Sequence, residues 1–125
     1  MASNLSTYKW TNRLLLVFAP SASGAEYREQ LRLLGGPEAE LEDRDLLIGK
    51  FFEDAAGELG EAPVSLEETA GLREAFDVPE GGFALVLVGK DGGEKFRAHE
   101  PVRAREVFDL IDAMPMRRRE MGRKD

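Results

Sequence analysis

The sequence contains no cysteine and only one histidine, His99. Without a thiol, the chain can form no disulfide, no thiolate nucleophile and no thiolate metal site. One imidazole cannot supply a histidine metal cluster either. The sequence therefore excludes cysteine-based thiol–disulfide exchange, and it predicts neither a metal site nor another cofactor.

Long apolar runs are also missing. The longest, residues 14–20 and 83–88, are far shorter than the roughly 20 residues that a membrane-spanning helix needs. Residues 1–10 lack the apolar core of a signal peptide. We predict no membrane span. The compartment stays open between cytoplasmic, as the chain stands, and periplasmic or secreted, if a signal peptide has been removed.

The 125 residues include 24 acidic and 17 basic side chains, giving a net charge of −7. This length suits one domain, with a core over residues 10–120 and flexible tails at 1–9 and 121–125. The acidic balance disfavours nucleic acid as a partner. Basic residues do crowd the stretch 117–124, but no aromatic residue lies among them to stack on bases, so a solvated helix end with internal ion pairs is the preferred interpretation.

The first half of the chain has the pattern of two strand–helix units. Residues 13–18 form an apolar run typical of a buried strand; a loop follows at 19–24 and a helix at 25–34, with Ser23 as a possible cap. Residues 45–52 are again strand-like, although this apolar run could also form a helix. The Gly- and Ala-rich acidic stretch 53–63 indicates an exposed connection.

A second helix and a terminal hairpin follow. Ser65 and Glu68 have capping-box spacing, which predicts a helix running to Phe76. Asp91-Gly92 lies between the strand-like runs 83–88 and 94–98, which is strong hairpin chemistry. After Pro101, apolar residues at helical spacing predict a last helix that Pro115 kinks or ends.

The predicted order is therefore βαβαββα. A βαβ unit followed by a hairpin and a helix implies a single mixed α/β sheet with helices on both faces and strand order second, first, third, fourth. The first strand would not be an edge strand. This arrangement is the minimal thioredoxin-like fold.

Four segments carry a resemblance to a known family; they are residues 13–21, 44–45, 89–95 and 111–118. Together they resemble the bacterial branch of the DUDES group of domains of unknown function, the DUF4174 family, whose other members include animal extracellular sushi-repeat and coiled-coil-domain-containing proteins. The resemblance spans about residues 10–120. It implies a thioredoxin-like fold and, from the animal relatives, adhesion or matrix association, but no established activity.

The loop after the first strand is one candidate site. In thioredoxin-like folds this loop lies at the N-terminus of the first helix, where free N–H groups and the helix dipole favour an anion. Here Ser21 and Ser23 stand where a thiol would be expected. They are candidates for binding a small anion or activating a bound thiol; the alternative is that both only cap the helix and its turn.

The opposite end of the sheet is the second candidate. Because the third strand runs antiparallel to the first, the turn at 90–93 should lie beside the start of the first strand, where the last helix also ends. We therefore expect charged residues from distant parts of the chain to converge there: Arg13, Arg44, Asp45, Lys90, Asp91, Lys95, Arg117 and Arg118. They would form either an ion-pair network that holds the C-terminal segment or a partner-binding surface.

Two functions remain open. The leading interpretation is a non-catalytic binding or interaction module whose partner is unknown, either a small anion or a protein. The alternative is an enzyme that acts on a thiol or a small anionic substrate at Ser21 and Ser23. No residue is predicted to be catalytic, because no carboxylate pair stands out and His99 has no evident orienting partner.

Overall fold

The computed structural model describes residues 5–36 and 38–123, which form a mixed sheet with helices on both faces. The strands are β1 (Arg13–Ala19), β2 (Leu46–Phe52), β3 (Gly57–Leu59), β4 (Ala62–Val64), β5 (Ala84–Val88) and β6 (Glu94–Ala98). The α-helices are α1 (Ala25–Leu34), α2 (Glu38–Asp43), α3 (Leu66–Ala75), α4 (Ala104–Asp112) and α5 (Pro115–Arg123).

The sheet has the order β4-β3-β2-β1-β5-β6. β1 is central, pairing parallel to β2 and antiparallel to β5, and β6 pairs antiparallel to β5. The predicted strands thus take the predicted order second, first, third, fourth. Sequence reasoning did not predict β3 and β4, which extend the sheet beyond β2.

Burial on both sides explains why β1 is a continuous apolar run rather than an alternating one. Leu15 and Val17 face a core that includes Tyr27 of α1 and Phe108 of α4. The alternate residues of β1 face a second core, which includes Leu72 of α3. Fully burying one such side chain contributes about 2 kcal/mol, so the central strand anchors both layers.

Helix starts show one confirmed and one incorrect prediction. Ser65 and Glu68 form a reciprocal capping box at the start of α3, with both hydrogen bonds at 3.1 Å. At α1 the N-cap residue is Gly24, and no side chain caps the helix. The predicted cap from Ser23 is therefore wrong. Its hydroxyl bonds the neighbouring Ser21 instead.

The prediction that residues 53–63 form an exposed connection is also wrong, because this stretch contains β3 and the start of β4. Gly60 follows β3 with φ 62°, a left-handed conformation that glycine adopts without strain. Leu59 and Val64 turn inward onto the α3 side of the sheet. Two short strands with one buried side chain each are too short for a period-two pattern to stand out.

The ends of the chain also differ from prediction. Within the expected N-terminal tail, Leu5–Tyr8 form a 3-10 helix. Its first and last residues, Leu5 and Tyr8, pack against the α3-side core. Of the two outcomes predicted at Pro115, the helix ends rather than kinks: α4 ends at Asp112, and Pro115 starts a further helix that was not predicted, α5, at a position where a missing N–H is tolerated. Residues 1–4 and 124–125 of the expected tails lie outside the described residues.

The sheet has two ends, which we call the loop pole and the turn pole. The loop pole is the end where β1 leads into residues 20–24 and β2 into Glu53. The turn pole is the opposite end, formed by the start of β1, the β5–β6 turn at 89–93 and α5. Over the described residues, no helix has both the length and the apolar character needed to cross a membrane.

Candidate functional site

At the loop pole the two candidate serines contact each other. The hydroxyl oxygens of Ser21 and Ser23 lie 3.0 Å apart, and the Gly24 N–H donates to the Ser21 carbonyl at 3.3 Å. In the described part of the chain, neither hydroxyl bonds an imidazole, a carboxylate or an amine. A serine nucleophile needs such a neighbour to take its proton, so this loop shows no activated nucleophile.

Other titratable groups at this end do not supply one. His99 is exposed, and its Nδ1 lies 3.4 Å from the Phe83 carbonyl oxygen. Burial, followed by the charge of Glu58, raises the pKa of Tyr27 above its usual value, so this phenol is protonated at neutral pH. Residues 5–36 and 38–123 hold no group of three metal-ligating side chains.

The turn pole holds an ion-pair network with Glu120 of α5 at its centre. Arg13, which is 1% exposed, meets the two Glu120 oxygens through Nη1 at 3.2 Å and Nη2 at 3.3 Å. Lys90 Nζ donates to Glu120 at 2.7 Å and to Asp45 at 2.8 Å. One carboxylate therefore links β1, the β5–β6 turn and α5.

Arg117 extends the network to the helices. Its Nε donates to Asp112 at 3.0 Å, its Nη2 to the Asp43 carboxylate at 2.5 Å and its Nη1 to the Asp43 carbonyl at 2.8 Å. Arg44 holds the other side of Asp112 in two bonds of 2.8 and 3.0 Å, and its guanidinium lies 4.4 Å from the ring centroid of Phe108. Bidentate pairs of this kind are the strong form of ionic contact.

Not all predicted residues join this network. Arg13, Arg44, Asp45, Lys90 and Arg117 do. Asp91 of the turn and Lys95 of β6 form a separate exposed ion pair at 2.8 Å. Arg118 is exposed and, in the described part of the chain, forms no ion pair.

Three acidic members of the network were missed by sequence reasoning: Asp43, Asp112 and Glu120. Asp112 and Glu120 lie in or beside segments already assigned to this pole. The clustered arginines could have indicated them, because buried basic side chains need acidic partners nearby. Helical spacing could also have shown that Arg117 and Glu120 share one face of a helix.

The ion-pair network lowers the pKa of two of its carboxyl groups, those of Glu120 and Asp112. Burial alone would raise the pKa of Glu120, but hydrogen bonds from Lys90 and Arg13 outweigh it and lower the pKa. Asp112 behaves in the same way, with burial outweighed by hydrogen bonds from Arg44 and Arg117. Both groups are therefore ionised at neutral pH.

Two clefts flank the β5–β6 turn, and both include Gly89 and Asp91 in their walls. One, of about 240 Å³, lies between the turn and the N-terminal 3-10 helix and includes Lys9. The other, of about 330 Å³, is walled by Met114, Pro115 and Met116 and includes Lys95. Each cleft thus combines apolar walls with one lysine that is not part of the Glu120 network.

Trp10 stands beside the same turn. It is 61% exposed, its backbone N–H donates to the Lys90 carbonyl at 2.6 Å, and its φ of 69° is left-handed. Lys9 Nζ lies 5.5 Å from its ring centroid. Large residues rarely adopt this conformation, so the backbone contact with the turn holds the indole outward at a conformational cost.

The sequence matches the domain of unknown function DUF4174 over residues 4–120. The chain belongs to the DUF4174 family. The match covers β1 to β6 and reaches Glu120, so both poles lie within it.

Curated relatives that contain a similar sequence are animal proteins. The chain is 32% identical over 134 residues to coiled-coil domain-containing protein 80 of Danio rerio, covering 94% of this chain and 16% of that protein. It is 31% identical over 123 residues to the sushi repeat-containing protein SRPX of Homo sapiens, covering 96% and 26%. This DUF4174 chain therefore spans about a quarter or less of these relatives.

Solved structures similar to the DUF4174 chain have a thioredoxin-like fold. A reduced 2-Cys peroxiredoxin of Plasmodium vivax superposes with a TM-score of 0.72 at 14% identity, covering 94% of this chain and 72% of that one. Thioredoxin peroxidase I of Plasmodium yoelii gives 0.70 at 16% identity, covering 92% and 79%. At such identities the likeness shows the fold alone. Cysteine chemistry does not carry over, because this chain has no cysteine.

Proposed function

We propose that this domain is a non-catalytic interaction module that binds a segment of a partner protein at the turn pole. The observation that carries the proposal is Trp10, an exposed indole held in a left-handed conformation against the β5–β6 turn. Strained residues cluster at functional sites, and tryptophan is enriched among the residues that dominate binding energy.

The surroundings of Trp10 define the partner's chemistry. The cleft walled by Met114, Pro115 and Met116 can accept an apolar side chain, and methionine adapts its shape to different ligands. Lys9 places an ammonium group without an ion-pair partner among the described residues at one cleft, where a carboxylate would complement it, whereas Lys95 at the other cleft is already paired with Asp91. The proposed ligand is an acidic segment with apolar or aromatic anchors.

The loop pole supports the enzyme alternative less well. Ser21 and Ser23 bond each other rather than a base, and no cleft adjoins them among those described. The carboxylates and guanidinium groups of the turn pole are engaged in ion pairs, which suits a rigid support better than proton transfer.

Trp10 is the only tryptophan, so its fluorescence reports directly on the proposed surface. We would titrate the protein with a short peptide containing glutamates, leucine and phenylalanine, and with a counterpart in which lysine replaces each glutamate. The acidic peptide should change the Trp10 emission and saturate, whereas the basic peptide should not.

To locate the contact, we would measure the affinity of protein variants for the labelled acidic peptide by fluorescence anisotropy. Trp10→Ala should weaken binding about tenfold or more, because truncating a tryptophan anchor costs about 2 kcal/mol. Met116→Ala should weaken it less. Leu110→Ala, which alters an exposed leucine on α4, is the matched control and should change nothing. Equal affinity of wild-type and Trp10→Ala protein would contradict the proposal.

A further inference from the structure

Besides the two clefts at the turn pole, a groove lies near the loop pole, on the α3 side of the sheet. We call it the α3 groove. Its apolar walls are Phe52, Leu66, Ala70 and Val78. Leu66, Ala70 and Arg73 follow one face of α3 at positions i, i+4 and i+7. Leu66 is 47% exposed, the highest value for any leucine in the described residues. Leu66 and Ala70 are the exposed apolar residues of the groove, whereas Phe52 and Val78 are 9% and 8% exposed.

The charge around the α3 groove is strongly negative. Residues 53–80 contain nine acidic residues and a single basic one, Arg73, in a chain whose total net charge is −7. Glu53 and Glu80 line the groove. Four exposed acids directly adjoin lining residues in the chain: Asp54, Glu67, Glu74 and Asp77.

The one cation of the groove is already neutralised. Arg73 Nη2 donates to Glu53 at 2.7 Å and to the Pro79 carbonyl at 3.0 Å. Glu53 also accepts the Gly81 N–H at 2.6 Å. In the described part of the chain, Glu80 has no ion-pair partner. The uncompensated charge that a ligand would meet is therefore negative.

We propose that the α3 groove binds a basic, apolar-anchored protein segment. Its apolar side chain packs against Phe52, Leu66 and Val78, and its cations face Glu80 and the adjoining acids. This surface is separate from the turn pole in position, in sign of charge and in ligand, so the two proposals stand or fall independently.

The test is fluorescence anisotropy of a short labelled peptide containing lysines, leucine and phenylalanine, with the glutamate counterpart as the reversed-charge control. The intact chain should bind the basic peptide, more weakly as salt rises. Glu80→Lys should weaken binding about tenfold, because it replaces attraction by repulsion. Leu66→Ala should weaken it about fivefold through lost apolar contact.

Matched variants on the opposite face of the sheet serve as controls. Leu110→Ala removes another exposed leucine and Glu106→Lys reverses another exposed acid, both on α4, and neither should change the affinity. Urea denaturation checks that every variant is folded. No binding of the basic peptide, or equal losses in Glu80→Lys and Glu106→Lys, would overturn the proposal. Unchanged binding by Trp10→Ala is expected, which separates this result from that at the turn pole.

Discussion

Single side chains at the turn pole differ sharply in what they support, although their charges are alike. Arg117 is 2% exposed and contacts three acidic residues, whereas its neighbour Arg118 is exposed and pairs with none of the described residues. The difference follows from helical geometry, since adjacent residues point about 100° apart around α5. Sequence reasoning placed both in one cluster because an argument from strand direction cannot separate neighbouring residues of one helix.

The pair gives a direct comparison. Arg117→Ala should destabilise the fold by about 2 kcal/mol, because it removes a buried guanidinium that bonds both Asp43 and Asp112, although Asp43 is exposed and Asp112 keeps Arg44. Arg118→Ala should change stability by less than about 0.5 kcal/mol. Urea denaturation of both variants measures this. Equal stability of the two would show that the network does not support the fold.

The serines provide a second comparison at the residue scale. Ser65→Ala should cost about 1 kcal/mol, because Ser65 accepts the Glu68 N–H at the start of α3. Ser23→Ala should cost clearly less, since Ser23 caps no helix. Thermal or urea unfolding of each variant is the measurement. A larger loss for Ser23 than for Ser65 would show that its contact with Ser21 matters more than we infer.

Among the elements, α5 is unusual because its inward contacts are largely ionic. Arg117 and Glu120 face the rest of the protein, where other helices present apolar side chains such as Phe108 and Leu72. Its attachment should therefore respond to pH in a way that the sheet does not.

Acid should release α5 first. The native pKa values of Glu120 and Asp112 lie below their unfolded values, so their contribution is complete above about pH 5 and is lost as pH falls through the unfolded and then the lower native values. Amide exchange should show α5 losing protection below about pH 4 while β1 and β5 stay protected. Glu120→Gln, which cannot ionise, should flatten this dependence. Loss of all elements at the same pH would contradict it.

The long elements could be predicted, and the short ones could not. β1, β5 and α4 bury many apolar residues, so continuous apolar runs mark the two strands and helical spacing of apolar residues marks α4. The β3–β4 hairpin has two three-residue strands and depends on pairing with β2, a tertiary contact with little local signal. The predicted pairing of distant ends brought Arg13, Arg44 and Lys90 together, because strand direction alone decides it. The acids that neutralise them depend on side-chain direction around α4 and α5.

At the scale of the whole molecule, the fold resembles that of peroxiredoxins, while the chemistry that this fold carries in them requires a thiol that is absent here. The protein should not accelerate reduction of insulin disulfides by dithiothreitol, because exchange proceeds through an attacking thiolate. The turbidity assay with and without protein should give the same rate. A clear acceleration would mean that another group attacks the disulfide.

The central claim is that binding occurs at the turn pole and not at the serine loop. Its most direct test is an amide NMR titration of the intact chain with the acidic, apolar-anchored peptide. The account predicts that shifts cluster at residues 9–11, 89–95 and 114–116, while residues 21–24 do not move. Shifts that cluster at Ser21 to Gly24, or no shifts at all, would contradict it.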